Sequence, residues 1–211
     1  MNKTIESSEN ITTLKELVKG SAIKFNNKIL YRSKENNISY KEFEERVNSL
    51  GTALINMGLK NKKIAIISEN RYEWEVSFFS IVCGSGVVVP IDKGLTKVEI
   101  ENIIKRARIE AIFCSKKYEK ILQEIKKENS FLKYIISFDL ENEVSKDTYS
   151  FKSLAEKGQE LISEGNNCFL DEKINEENIC LISFTSGTTS SSKAVMLSHK
   201  NKCSNMILIC L

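Results

Sequence analysis

Short β-branched runs alternate with amphipathic stretches along most of this chain. Residues 28–33, "KILYRS", then a turn-prone Asn36-Asn37 pair, then Ile38-Ser39 predict a small hairpin or edge element. Ser39 followed by Glu42 makes a capping box, in which hydroxyl and carboxylate each satisfy a backbone amide of the first turn. Phe43, Val47, Leu50, Leu54 and Met57 then recur at helical spacing until Gly58 stops them. "KIAIIS" over 63–68 predicts a buried strand and "VVVPI" over 87–91 a second one. Between them, 70–83 reads as a helix carrying Trp74, Phe78 and Phe79, for which core packing is the default role. Thr96 and Glu99 form another capping box ahead of Ile100, Ile103, Ile104 and Ala107, and the charged run "IIKRARIE" reads as a solvated helix face. "AIFCS" over 111–115 and "YIIS" over 134–137 predict two more strands. They are separated by a helix over 116–128 with Tyr118, Ile121, Leu122 and Ile125 on one face. A looser helix near 150–162 and a polar stretch lead to "ICLISF" over 179–184.

Strands separated by helices require right-handed crossovers, so the expected fold class is α/β. The runs at 63–68, 87–91, 111–115, 134–137 and 179–184 should form one mainly parallel sheet flanked by helices on both faces. One proline and 9 glycines among 211 residues argue against a many-turned β sandwich. The chain ends on "NMILICL", apolar and without a cap, a glycine or a charged tail. The expectation is a chain cut inside a helix, leaving apolar surface through which copies could self-associate; a terminal helix docked on its own core is the alternative.

Charge excludes one class of partner. The 31 basic and 28 acidic residues leave a net charge of +3, with Lys and Glu interspersed, so no nucleic-acid partner is expected. The longest uncharged run, 76–91, is interrupted by Gly84, Gly86 and Pro90 and falls short of the ~20 apolar residues of a transmembrane segment. Six cysteines without a CxxC pair and a single histidine, His199, offer no zinc spacing, so no metal site is expected. Reduced, buried thiols and the lack of an apolar leader in "MNKTIESSENITTL" point to a cytoplasmic protein.

The chemistry is concentrated in "FTSGTTSSSKAVMLSHKN", residues 184–201. By composition alone a Ser/Thr-rich loop is a flexible linker. Here it follows a buried strand and precedes the apolar "AVML", which makes it a phosphate cradle: backbone amides converge on an anion, hydroxyls donate to its oxygens, and Lys193 supplies a compact positive charge. The nucleotide loop of P-loop NTPases is excluded, because counting from Gly187 it requires glycine at Ser192 and Ser or Thr at Ala194.

Phe184, Thr185, Ser186, Gly187, Thr188, Thr189, Lys193, Val195, Ser198, His199 and Asn201 match, in order, the phosphate-loop signature of the adenylate-forming superfamily, which this segment closely resembles. That superfamily contains acyl-CoA synthetases, adenylation domains of peptide synthetases and firefly luciferase. Upstream, the stretch from "YKEFEERVNSL" to "VVVPID" resembles the amino-terminal half of an acyl-CoA synthetase, and "SENRYEW" is closest to the long-chain fatty-acid branch. The resemblance covers about residues 25–205. It implies that 1–211 is an incomplete N-terminal AMP-binding domain ending inside a helix after the phosphate loop at 184–194.

The resemblance implies a two-step ligase. A carboxylate, by the branch a fatty acid, attacks the α-phosphorus of ATP to give an acyl-adenylate and pyrophosphate; the CoA thiol then displaces AMP. ATP, Mg2+ and CoA would serve the complete enzyme. Thr185, Ser186, Gly187, Thr188, Thr189 and Lys193 would hold the β- and γ-phosphates, with no catalytic or metal-ligating residue assigned within this chain. His199 would be structural. Three positions depart from the signature: Ser190 and Ala194 replace glycines and Ser192 replaces a proline. A non-glycine in left-handed geometry costs roughly 1–2 kcal/mol, so Ser190 and Ala194 are the expected points of distortion. The alternative function is a non-catalytic, degenerate or partner-binding protein on the same fold.

Overall fold

Capping side chains set where the helices begin. In the computed structural model, which describes residues 11–32, 37–141, 146–185 and 193–210, three helices open with reciprocal capping boxes. They are α1 (Leu14–Phe25, from Thr13 and Glu16), α2 (Tyr40–Asn56, from Ser39 and Glu42) and α4 (Lys97–Ala107, from Thr96 and Glu99). In α2 the Ser39 amide donates to Glu42 Oε2 at 2.7 Å and the Glu42 amide to Ser39 Oγ at 3.2 Å. Between α1 and α2, β1 (Ile29–Arg32) and β2 (Asn37–Ser39) pair antiparallel as the expected hairpin, with Asn36 outside the described residues.

The remaining elements are β3 (Lys62–Ile67), α3 (Tyr72–Ser80), β4 (Gly86–Pro90), β5 (Ala111–Cys114), α5 (Lys116–Glu128), β6 (Tyr134–Ser137), β7 (Thr148–Ser150), α6 (Phe151–Ser163), β8 (Ile179–Thr185), β9 (Lys193–Ser198) and α7 (His199–Cys210). The helix expected over 70–83 is shorter than its periodicity suggests. After Ser80 the backbone widens into a π-turn over Ile81–Ser85, kinked at Gly84 with φ 152, a conformation open to glycine.

Strand order in the main sheet is β7-β6-β5-β3-β4-β8-β9, parallel throughout except for the antiparallel β8–β9 pair. The five expected strands are all present and share this sheet. Successive residues feed opposite faces, as strand pleating dictates. Ile64, Ile66, Val88, Phe113, Ile136 and Leu181 join side chains of α1, α2, α3 and α6 in one apolar cluster. Ala65, Ile67, Val89, Ile112, Ile135 and Ile182 join α4 and α5 in a second. Trp74 lies 5.4 Å from Phe78, ring on ring, against the first cluster, so this aromatic group is core. Helices α2 and α6 cross so closely that a Cβ on Gly158 would stand 1.8 Å from the Ser49 carbonyl oxygen.

Candidate functional site

The parallel strands deliver their carboxyl ends to one rim of the sheet. Chain leaving β3 goes to α3 on the first face, whereas chain leaving β4 goes to α4 on the second. The chain therefore parts above these two strands, where open α/β sheets hold ligands. Strand β8 lies directly beside β4, with Leu181 opposite Val88.

Along β8 exposure rises step by step. Cys180, Leu181 and Ile182 are buried, Ser183 and Phe184 half-buried, and Thr185 exposed. The chain returns as β9, which pairs Thr185 with Lys193, Phe184 with Ala194 and Ser183 with Val195. Cross-strand partners share a face, so Thr185 and Lys193 project together on one side of the hairpin end and Phe184 and Ala194 on the other. Thr185 Oγ1 donates to the Lys193 carbonyl at 3.5 Å. Phe184 packs against the second apolar cluster, and the guanidinium of Arg106, from α4, lies 5.3 Å over its ring. Ser186, Gly187, Thr188, Thr189, Ser190 and Ser192 lie outside the described residues. Ala194 does not occupy left-handed backbone, so the strain expected there is absent; as a strand residue opposite Phe184 it needs no glycine. The sequence pattern had given "AVML" no strand assignment, because a short apolar run fits strand or helix equally.

The Ser-His-Asn run that follows is structural. Ser198 caps α7: its amide and hydroxyl both donate to Asn201 Oδ1 at 3.1 Å, and the Asn201 amide donates to Ser198 Oγ at 3.3 Å. His199 is 2% exposed, its Nδ1 accepts the Leu14 amide at 3.2 Å, and burial pushes its pKa down to about 4. Neutral and occupied, it has no role in proton transfer at the hairpin end.

Three charges on the rim, Arg71, Glu73 and Asp139, are committed to each other. Arg71 Nε donates to Glu73 at 2.8 Å and its Nη1 to Asp139 at 2.7 Å, while Asp139 also accepts the Lys116 amide at 2.7 Å at the start of α5. This clamp joins the segments after β3 and β6; neither Arg71 nor Asp139 had been singled out from sequence, since their contact spans 68 residues. Burial raises the thiols of Cys83, Cys114, Cys180 (to about 11) and Cys203, which keeps them protonated and unreactive. Among the described residues no group of three or more His, Cys, Asp or Glu could hold a metal ion. The hairpin end offers a hydroxyl and an ammonium, a set that suits phosphate and does not by itself make a Mg2+ site.

Comparison with known proteins identifies the family and the fold. The model of the AMP-binding enzyme family matches residues 19–210. Fatty acyl-CoA synthetase A of Dictyostelium discoideum is 33% identical over 175 residues, covering 80% of this chain and 26% of that protein. Long-chain-fatty-acid–CoA ligase 5 of Rattus norvegicus is 31% identical over 178 residues, with the same coverages of 80% and 26%. The chain thus spans about a quarter of the length of these curated relatives. Among solved structures, a long-chain-fatty-acid-CoA ligase from Archaeoglobus fulgidus superposes with a TM-score of 0.77 at 18% identity, covering 94% of this chain and 38% of that one. The anthranilate CoA ligase AuaEII, solved with anthranoyl-AMP, gives 0.75 at 19% identity, covering 89% and 35%. At these identities the superpositions show the fold.

Proposed function

This chain belongs to the AMP-binding enzyme family, and from that premise we propose that it supplies the phosphate-gripping part of an ATP-dependent carboxylic acid–CoA ligase. The observation that carries the reading is the end of the β8–β9 hairpin. Thr185 and Lys193 face the same way at a strand's carboxyl end, beside the point where the chain parts to the two faces of the sheet. In this reading Thr185, Ser186, Gly187, Thr188, Thr189 and Lys193 hold the β- and γ-phosphates of ATP. A carboxylate oxygen bonds to the α-phosphorus and pyrophosphate leaves; the thiol sulfur of CoA then bonds to the acyl carbon and AMP leaves. The grip acts by orientation and charge neutralisation, which in-line displacement at phosphorus needs more than covalent help.

A fatty acid as the carboxylate, and hence a place in fatty-acid metabolism, is supported by the names of the curated relatives. Mg2+ belongs to the complete reaction, and no step is routed through it. The reduced thiols support a cytoplasmic location; no helix among the described residues is long and apolar enough to cross a membrane. Self-association through the outer edge of β9 is supported by the exposure of Val195 and Met196 on the last strand of the sheet. The test of the central reading is an ATP titration of the 211-residue chain and its Lys193→Ala variant. Weaker binding by the variant is expected, and equal binding would refute the phosphate role.

A further inference from the structure

We propose that Arg106 is a positioning residue for Thr185 and Lys193 at the end of the β8–β9 hairpin, acting through the ring of Phe184. The inference rests on the reading of 184–194 as the phosphate grip and adds to it a residue that lies 78 positions upstream of Phe184, outside the signature.

The geometry is specific. On α4 the side chains that face the sheet are Ile100, Ile103, Ile104 and Ala107, all buried. Arg106 lies off that stripe and is exposed, yet its guanidinium stands 5.3 Å over the Phe184 ring. Phe184 is in turn the last residue of β8 that packs against the second apolar cluster, and the next residue, Thr185, is exposed and held across the hairpin by Lys193. The strand that launches the loop is therefore fastened to the helix layer at Phe184, and Arg106 covers the ring. A guanidinium over an aromatic face is attracted by the ring quadrupole and also stacks flat on it, which an ammonium does less well. Holding the ring fixes the direction in which β8 emerges. It also sets a positive charge on the Phe184 side of the hairpin end, opposite the Thr185–Lys193 side. A triphosphate gripped there would meet a strand end already aimed, so less ordering would be left for binding to accomplish.

Loss of one exposed cation–π contact corresponds to about a two- to fivefold change in an equilibrium. The experiment is titration of the 211-residue chain with Mg-ATP, followed by NMR shifts so that millimolar affinities are measurable, with melting temperatures recorded in parallel. The variants are Arg106→Ala, Arg106→Lys, Phe184→Leu, Phe184→Tyr, the Arg106→Ala/Phe184→Leu double and Lys193→Ala. Arg106→Ala and Phe184→Leu should each weaken ATP binding about two- to fivefold. The double should be no weaker than the worse single, because both break one contact. Arg106→Lys should recover part of the loss and Phe184→Tyr nearly all of it. If Lys193→Ala weakens binding while Arg106→Ala does not, the role of Arg106 is overturned and the phosphate reading stands. Additive losses in the double variant likewise overturn action through the ring. A fall in melting temperature with unchanged affinity shows a purely structural contact and also overturns the proposal. If ATP binding is absent, or unchanged in Lys193→Ala, the phosphate reading itself fails and this inference with it.

Discussion

The backbone amide of Leu14, first residue of α1, donates to Nδ1 of His199, first residue of α7, across 185 positions of sequence and 3.2 Å of space. Only an unprotonated Nδ1 can accept, so this contact joins the two ends of the described chain through a neutral imidazole. The adjoining Lys15 ammonium caps the carbonyls of Phe169, Leu170 and Glu172, tying α1 to the turn before β8 as well.

Acid should destabilise the fold through this junction. Burial lowers the His199 pKa to about 4 from 6.5. The unfolded chain therefore takes up a proton that the folded chain refuses, and the stability held above pH ~6.5 is lost as pH falls toward 4. Between pH 7 and pH 5 the expected loss is about 2 kcal/mol. Glu44 and Glu75, raised by burial, act weakly in the opposite direction. Urea unfolding at both pH values checks this. His199→Asn, whose Oδ1 can still accept from Leu14 without titrating, should be nearly flat over the same range, and a slope as steep as wild type would count against the assignment.

Gly158→Ala should destabilise the fold by about 1–3 kcal/mol, since its Cβ would stand 1.8 Å from the Ser49 oxygen and α6 would have to move off α2. Gly20→Ala, with open space at that position on α1, should be neutral or stabilising by up to ~1 kcal/mol. Midpoints of urea unfolding that rank these two variants the other way would show that the α2–α6 crossing is misplaced.

The chain alone should not release pyrophosphate when given ATP, Mg2+ and a series of fatty acids. The proposed grip touches only the phosphates, so ATP held weakly there meets no carboxylate oriented for attack. Coupled detection of pyrophosphate provides the measurement. Sustained, acid-dependent release that disappears in Lys193→Ala would overturn the expectation.

Met196→Lys should reduce self-association without a loss of stability. Met196 is 63% exposed on β9, the last strand of the sheet, and a charge on an edge strand opposes strand-to-strand pairing. Sedimentation across a tenfold concentration range should show the variant less associated than wild type. Identical profiles would place the contact elsewhere.

Much of the fold was legible because its signals are local. Ser39 with Glu42 and Thr96 with Glu99 announced α2 and α4, and the β-branched runs of β3 to β6 can be read within a few residues. Helix α1 carried the same signature, Thr13 with Glu16 and then Leu14, Val18 and Ala22 on one face, but within a polar amino-terminal region it went unassigned. Short β7 and edge strand β9 were not legible, because three residues carry no period and an edge exposes both faces. At the site, Thr185 and Lys193 could be named from the motif, but their pairing across the hairpin could not. The burial of His199 and the placement of Arg106 over the Phe184 ring depend on partners 185 and 78 residues away, beyond any spacing rule.

Strand order also sets a timetable for assembly. β3 and β4 are neighbours both in sequence and in the sheet, and β5, β6 and β7 extend it from β3, so these five strands can associate before β8 has been synthesised. About 90 residues separate Pro90 from Ile179, and until β8 arrives the far edge of β4 waits without its neighbour. The hairpin that carries the proposed phosphate grip is consequently a late arrival, added to a sheet that can already be in place. Its amides should exchange with solvent deuterium sooner than those of β3 and β5, as an outlying cooperative unit does. In such an arrangement the β8–β9 end of the sheet could open and close while the rest stayed folded.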